Sequence, residues 1–520
     1  MRYWHSLFTL LKYPITLVFI GMFMLGIGNI VANPYLGISS YIQSEWIIAI
    51  AEMASRIGQF LVVNFPVLFL IRITTRKGGN ATSITSAIAG YIAFLVGTIF
   101  FANKTLPSNA FSSILGISVS SSTLPNLAQS TNLPLQTGII GTFVVSFITL
   151  WAFNSSNKKS EYALFPMITK EISCFVRTVF FSLLAGIGIA LIWPYFIAFI
   201  QRIIHFIERD TTNPINLGLY GVTERILSVL NLPALIRQPF WYSTSGGSWV
   251  STIGTSVSGD ASIWTAQLSA NAFTGMNGRF VTPHYILNLG MVPGMVLGLY
   301  SLYSDKLEKK KRRSFVFFVI IVSLFTGSLL PLELMIFFLA PLLFIIHTLI
   351  SGALYSLLQI LGVYLGYATN GTSYISAMPG TILELINYFR YPSLQRSLAF
   401  VLGISVIMFF LYYFGTRLYF RYMAVDLFKT GIREEMIEKV IKAAGGIENI
   451  RMVNSSITDL TLALHDLNKF DALQIKRMGT YRITESKAGF HISIGSPSIM
   501  IARGIENEKR SLKREIKETN

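Results

Sequence analysis

The stretch FVFFVIIVSLFTGSLLPLELMIFFLAPLLFIIHTLISGALYSLL, residues 315–358, sets the architecture of this chain. It stays apolar far longer than the roughly 20 residues that one bilayer-crossing helix requires. Yet Thr326-Gly327-Ser328-Leu329-Leu330-Pro331-Leu332-Glu333 interrupts it. Gly and Pro end helices and leave backbone polar groups without partners. Lipid cannot satisfy such groups, so a break of this kind is expected where it lines a protein-walled cavity. Broken helices of this sort build substrate sites near the membrane midplane. Glu333 adds weight, because a carboxylate inside an apolar run is a functional candidate by default. The plainer alternative is a helix-end Glu that reaches the interface.

Outward from that stretch the pattern repeats. Runs at 13–32, 137–153, 178–200, 314–330 and 397–414 are apolar enough to span. Those at 47–71 and 84–101 carry an internal Arg, Gly or Pro and read as bent or partly interfacial. The expectation is roughly eight to ten spans. Over 520 residues the composition is 52% apolar and 13% charged, against roughly 25% charged in soluble domains. A net charge of +17 would suggest nucleic-acid binding in a soluble protein. Here the excess lies beside apolar runs, at Arg72, Arg76 and Lys77 and again at Lys306 and Lys309 through Arg313. That is the positive-inside pattern: it sets topology, places a 306–313 loop in the cytoplasm, and offers anionic lipid headgroups as neighbours. No nucleic-acid partner is expected. Cys174 is the single cysteine, which excludes an intrachain disulfide and a cysteine metal site. The basic start followed by a long apolar run reads as a retained first span and not a cleaved signal. The Asn-x-Ser/Thr triplets at Asn80, Asn103, Asn154 and Asn370 read as chance.

Near Phe428 the composition changes to mixed charged and apolar residues. Residues 434–444 put Met436, Ile437, Val440, Ile441 and Ala444 on one helical face, and Gly445-Gly446 supplies the stop. Residues 459–464 alternate, with Leu460, Leu462 and Leu464 on one side. A short helix over 471–478, strands over 480–484 and 490–494, and a last helix opening at 497–502 follow, with a frayed charged end from Glu506. This predicts a small α/β sandwich of about 75 residues. The fold expected is therefore mostly α: a polytopic transmembrane body with re-entrant hairpins over 1–428, an α/β domain over 429–508, and a charged tail over 509–520. Residues 240–285, rich in Ser, Thr and Gly with Trp241, Trp249 and Trp264, are too long for a simple connector and read as functional.

Several motifs resemble one family. Gly218-Leu219-Tyr220-Gly221 with Glu224-Arg225, Gly278-Arg279-Phe280 with Gly290-Met291-Val292-Pro293, Thr326-Gly327 with Pro331 and Glu333, and Asn370-Gly371-Thr372-Ser373 come in order. In the tail, Gly445-Gly446-Ile447-Glu448-Asn449-Ile450 and Ile457-Thr458 follow. Each is weak alone; their order and spacing are what count. Over nearly its whole length the chain resembles the glucose, maltose and N-acetylglucosamine class of phosphotransferase-system enzyme II, in which a membrane IIC component is fused to a cytoplasmic IIB domain. The resemblance implies a bacterial cytoplasmic-membrane protein, dimeric through IIC, with its C-terminal domain in the cytoplasm. It also implies sugar uptake coupled to phosphorylation: a IIA protein passes a phosphoryl group to a IIB cysteine, which gives it to sugar held in IIC.

The chemical positions depart from that pattern. The phosphorylatable Cys falls on Ser456, a poor nucleophile without a neighbouring base, and the sequence places none beside it. The following arginines fall on Asp459 and Thr461, and an aspartate repels an incoming phosphoryl group. The Glu before the hairpin Pro falls on Leu330, and a His pair on Pro233-Ala234. No catalytic residue of family-type phosphotransfer is expected to act here, although the family itself is enzymatic.

A sugar site needs concave walls and a few aimed polar groups. The candidates are Glu224, Arg225, Arg279, His284, Thr326, Glu333, Asn370 and Thr372, with Trp241 or Trp249 as a stacking wall. Against this, Glu224 and Arg225 could simply pair in the interior, His284 could be structural, and Asn370-Gly371-Thr372 could be only a turn. No metal, nucleotide or cofactor site is expected. The leading expectation is a permease that binds and translocates a hexose or related sugar without phosphorylating it, alone or beside an intact enzyme II. The alternatives are a membrane sugar sensor whose tail docks a IIA protein or regulator, and an active phosphotransferase using Ser456.

Overall fold

The computed structural model describes residues 2–36, 41–42, 44–78, 81–102, 106–119, 132–157, 169–250, 254–302, 306–368, 378–423, 433–478, 480, 482–486, 488–495 and 497–519. Among them, seven helices are long and apolar enough to cross a membrane: Leu10–Ala32, Glu45–Val63, Ala81–Phe101, Gly138–Ser156, Lys170–Glu208, Pro341–Leu361 and Pro392–Arg421. Three shorter helices, Phe65–Thr75, Arg313–Thr326 and Leu330–Leu339, are also apolar.

The interruptions follow from local sequence. The 47–71 run breaks at Asn64 into helices Glu45–Val63 and Phe65–Gly78. Pro66 has no N–H to give, and polar side chains tie the bend to its neighbours. Asn231 donates its amide to the Val63 carbonyl at 3.1 Å, and the Leu115 N–H donates to Asn64 Oδ1 at 2.8 Å. Helices Ala81–Phe101 and Lys170–Glu208 pack closely because small residues face each other. A Cβ on Gly186 would sit 2.3 Å from the Phe94 carbonyl oxygen, the small-residue contact by which membrane helices approach.

The 315–358 run breaks where Gly and Pro predicted. Helix Lys306–Thr326 stops at Gly327, whose φ of +68° is left-handed, and helix Leu330–Leu339 begins with Pro331 in its first turn. A further helix, Pro341–Leu361, follows after Ala340. Residues 306–313, expected as a loop, are helical and continue directly into the apolar segment. Lys and Arg are good helix formers, so a run of cations marks the membrane face without implying irregular backbone.

The polar 240–285 segment is ordered over its described residues. Strands β1 (Ser248–Val250) and β2 (Ser256–Ser258) pair antiparallel, Trp249 opposite Val257. Helix Asp260–Ala270 follows, and Asp260 accepts from the Gly278 N–H at 2.8 Å. A π turn over Leu287–Met291 places Asn288, whose amide donates to the Ser323 carbonyl at 2.8 Å and the Gly380 carbonyl at 2.7 Å. This knot fixes the end of helix Lys306–Thr326 against the chain segment that flanks the break.

The C-terminal region has its own sheet. Strands β3 (Ile450–Ser455), β4 (Asp459–Leu464), β5 (Arg482–Ser486) and β6 (Gly489–Ser493) lie antiparallel in the order β3-β4-β6-β5. Helices Arg433–Ala443, Ala472–Arg477 and Ser498–Thr519 accompany it, and Val440, Ile475, Ile501 and Ile505 join Leu460, Leu462 and Ile492 in one core. Strand β3 adds to the elements predicted. The last helix also runs to Thr519, past the point where fraying was expected. Residues 424–432, around the composition change near Phe428, lie outside the described residues. Ile457 and Ile499 pack against the core of the apolar body, so the two parts touch.

Candidate functional site

The broken hairpin meets helix Pro214–Val229, which starts cleanly: Pro214 takes the first position and Asn213 accepts from the Ile215 N–H. One turn before its end stand Glu224 and Arg225, and both are at most 1% exposed. Arg225 pairs with Glu224 through its Nε. Its Nη1 donates to Glu333 Oε1 at 2.7 Å, and its Nη2 contacts His284 Nε2 at 2.8 Å. A guanidinium only donates, so His284 Nε2 must accept and the ring hydrogen lies on Nδ1, 3.1 Å from the Val281 carbonyl.

The pairing foreseen for Glu224 and Arg225 is therefore present, within a larger network. Arg237 donates from Nε to Glu224 Oε1 at 2.7 Å. It belongs to helix Ala234–Tyr242, and four residues on, Trp241 lies under its guanidinium at 5.0 Å. Trp241 in turn donates to the Tyr220 hydroxyl at 2.9 Å. On the other side, His347 Nε2 faces Glu333 Oε1 at 3.3 Å and its Nδ1 faces the Tyr412 hydroxyl at 2.8 Å. Two carboxylates and two guanidiniums thus balance in the interior, the arrangement buried ions need.

The network borders a cavity of about 90 Å³ lined by Arg225, Arg237, His284 and Glu333. Leu330 and Pro233 stand in the same wall. Glu224 lies behind Arg225 and positions it. Of the other predicted residues, Thr326 is buried and bonds the Val322 carbonyl and Ser328 hydroxyl, each at 2.7 Å, beside the cavity wall. Arg279 is not brought to the cavity: its Nη1 donates to the Thr211 carbonyl and hydroxyl at 3.2 and 3.0 Å. Ala234 is buried next to Pro233. Asn370 and Thr372 lie outside the described residues. Trp241 backs Arg237 and does not form a cavity wall, and Trp249 sits in the β1–β2 hairpin.

Arg237 and His347 were missed in the sequence. His347 was open to the same rule that singled out Glu333, being an ionisable group inside an apolar run. Nothing local marks Arg237, since its partner Glu224 is thirteen positions away.

The tip of the hairpin is shared between two spaces. Gly327, Leu329, Leu330 and Glu333 face the first cavity, while Ser328, Pro331 and Leu332 face a second one of about 350 Å³. The far wall of that second space includes Ser456, Ile457, Thr458 and Asp459 of the C-terminal region. Ser456 is not without a carboxylate neighbour: its hydroxyl donates to Asp459 Oδ2 at 3.1 Å. The same carboxylate accepts from the Thr458 hydroxyl at 2.8 Å and the Ser493 hydroxyl at 2.6 Å. Folding back of the loop creates that neighbourhood.

Residues 9–352 match the family described as phosphotransferase system, EIIC. Among solved structures the chain is similar to the crystal structure of the transporter ChbC, the IIC component from the N,N'-diacetylchitobiose-specific phosphotransferase system. That likeness has 12% identity and a TM-score of 0.33, and covers 80% of this chain and 93% of that one. With the family match spanning well over half of its length, the chain belongs to the EIIC family, the sugar-transporting membrane components of the phosphotransferase system.

Proposed function

We propose that this protein binds a hexose or related sugar of the glucose, maltose and N-acetylglucosamine class in the cavity beside Arg225, and translocates it without phosphorylating it. One observation carries this reading. Arg225, Arg237, His284 and Glu333 converge on a cavity at a broken helix, while Leu330 and Pro233 share its wall. Donors and acceptors for sugar hydroxyls are retained there, and apolar groups stand where the resemblance expects a carboxylate and a histidine. A leucine can neither hold a sugar hydroxyl nor take its proton. Arg225, His284 and Glu333 are the contacts proposed first, with Glu224 and Arg237 orienting them and Thr326 and Arg279 holding the surroundings. Asn370 and Thr372 keep their place through the resemblance. The assignment includes a membrane domain over 1–428, a IIB-like domain over 429–508 on the cytoplasmic side of a bacterial inner membrane, and a homodimer or an enzyme II complex as the working unit.

The test is counterflow of labelled glucose, N-acetylglucosamine and maltose in proteoliposomes, without phosphoenolpyruvate or soluble carriers. Exchange of any one supports the proposal. No exchange of all three favours the sensor reading, in which the tail docks a IIA protein or regulator.

A second reading rests on the Ser456–Asp459 contact, which gives that serine a carboxylate to take its proton. The same negative charge opposes an arriving phosphoryl group. Transfer of radioactive phosphate from a phosphorylated IIA protein to Ser456 would establish this alternative.

A further inference from the structure

Sugar binding does not account for His347. It is fully buried, stands behind Glu333, and is absent from the cavity wall. Two elements besides its own helix present ionisable groups to it: Glu333 from helix Leu330–Leu339 and Tyr412 from helix Gln395–Leu418. Behind Glu333 come Arg225, then Glu224, His284 and Arg237.

His284 and His347, the two buried histidines among the described residues, differ in what they can accept. A second proton on His284 would have to sit at Nε2, 2.8 Å from a guanidinium nitrogen. Glu224 Oε1 lies 3.5 Å from that nitrogen, but the nearer partner, Arg225, is permanently a cation and only donates. His347 has no such conflict. Its Nε2 carries a hydrogen, because the carboxylate it faces only accepts. Its Nδ1 faces a tyrosine hydroxyl, which can donate to a bare nitrogen or accept from a protonated one. A proton can therefore enter at Nδ1 with nothing more than a rotation of the Tyr412 hydroxyl hydrogen.

The proton would be felt at the cavity through one atom. Arg225 Nη1 at 2.7 Å and His347 Nε2 at 3.3 Å share Glu333 Oε1. Glu224 and Glu333 balance Arg225 and Arg237, so an imidazolium gives Glu333 a second cation and loosens its hold on Arg225. A loosened Arg225 can turn an N–H toward a sugar hydroxyl. Reciprocally, sugar that draws Arg225 away leaves Glu333 to His347 and favours the proton there. Glu333 lines the cavity, so its carboxylate can take a proton from cavity water. Because it touches only Nε2, it hands that proton on when the neutral ring holds its hydrogen on Nδ1, donated to the Tyr412 hydroxyl, and Nε2 is bare. Intramembrane His and carboxylate pairs form such relays in transporters.

We propose that His347 is a proton-binding site linked to the sugar cavity through Glu333, so that sugar moves together with a proton. This rests on the translocation reading above and replaces phosphoryl coupling with proton coupling.

The experiment uses the full chain in weakly buffered proteoliposomes with pyranine trapped inside, and whichever of the three labelled sugars shows counterflow. External sugar should acidify the lumen, and an acid-outside gradient should drive accumulation. His347→Gln keeps an amide donor for Glu333 but cannot take up a proton. Its ratio of gradient-driven accumulation to counterflow should fall about tenfold. Tyr412→Phe removes the oxygen that accepts from protonated Nδ1, so its ratio of gradient-driven accumulation to counterflow should fall as well. A wild type that shows counterflow but whose net inward sugar flux leaves the lumen pH unchanged would overturn this proposal and leave the translocation reading standing. An unchanged ratio in His347→Gln would do the same. Failure of counterflow with all three sugars would remove both.

Discussion

Glu333 and Arg225, 108 positions apart, meet through a 2.7 Å hydrogen bond inside the apolar body. The bond joins the first turn of a half-helix to a separate full helix, so the break in the 315–358 run is braced by charge as well as by packing.

Removing one member of that pair should cost far more than removing both. Arg225→Met leaves Glu333 uncompensated and should destabilise the protein by about 3–5 kcal/mol. Arg225→Met with Glu333→Met should recover much of that loss, because Glu224 keeps Arg237. Thermal unfolding in detergent reads both effects, and counterflow should be lost in the single and double variants alike.

Gly327 should not tolerate a side chain. Its φ of +68° is left-handed, and an added Cβ would lie 2.7 Å from the Pro379 carbonyl oxygen. Gly327→Ala should cost about 1–2 kcal/mol from backbone strain alone, with a further loss from the clash. The check is a lowered unfolding temperature together with reduced counterflow.

Asn288 should be a structural anchor and not a sugar contact. Asn288→Ala strips donors from the Ser323 and Gly380 carbonyls, and an unsatisfied buried acceptor costs about 1–3 kcal/mol. Unfolding temperature should fall while the ratio of counterflow rates among the three sugars stays as in wild type.

Asp459 should hold the C-terminal loop together. Asp459→Ala leaves the Ser456, Thr458 and Ser493 hydroxyls without their shared acceptor. Amide hydrogen exchange over residues 456–459 should speed up, while exchange in the paired centre of strands β4 and β6 stays slow.

Features that depend on backbone chemistry were legible in the sequence. Gly327 and Pro331 located the helix break, and the Leu460, Leu462, Leu464 alternation located strand β4. Strand β3 was not, because its pairing shifts register between Ile450 and Met452, leaving Met452 exposed and Val453 buried. A bulge of that sort erases the period-two pattern by which strands are recognised. Site residues split along the same line. Glu333 announced itself by standing in apolar surroundings, whereas Arg237 joined the network only through a contact that the fold creates. The Ser456–Asp459 hydrogen bond was likewise invisible, since three residues of sequence spacing do not say which way a loop turns.

The hairpin tip that separates the two cavities acts as a party wall. Whatever room one side gains when Leu330 or Pro331 shifts, the other side surrenders. A bulkier residue at the tip should thus never be felt by the Arg225 cavity alone: crowding from the C-terminal side and emptiness beside Arg225 are two accounts of a single displacement. Occupancy on opposite flanks then becomes antagonistic by geometry, without any wire of residues running between them.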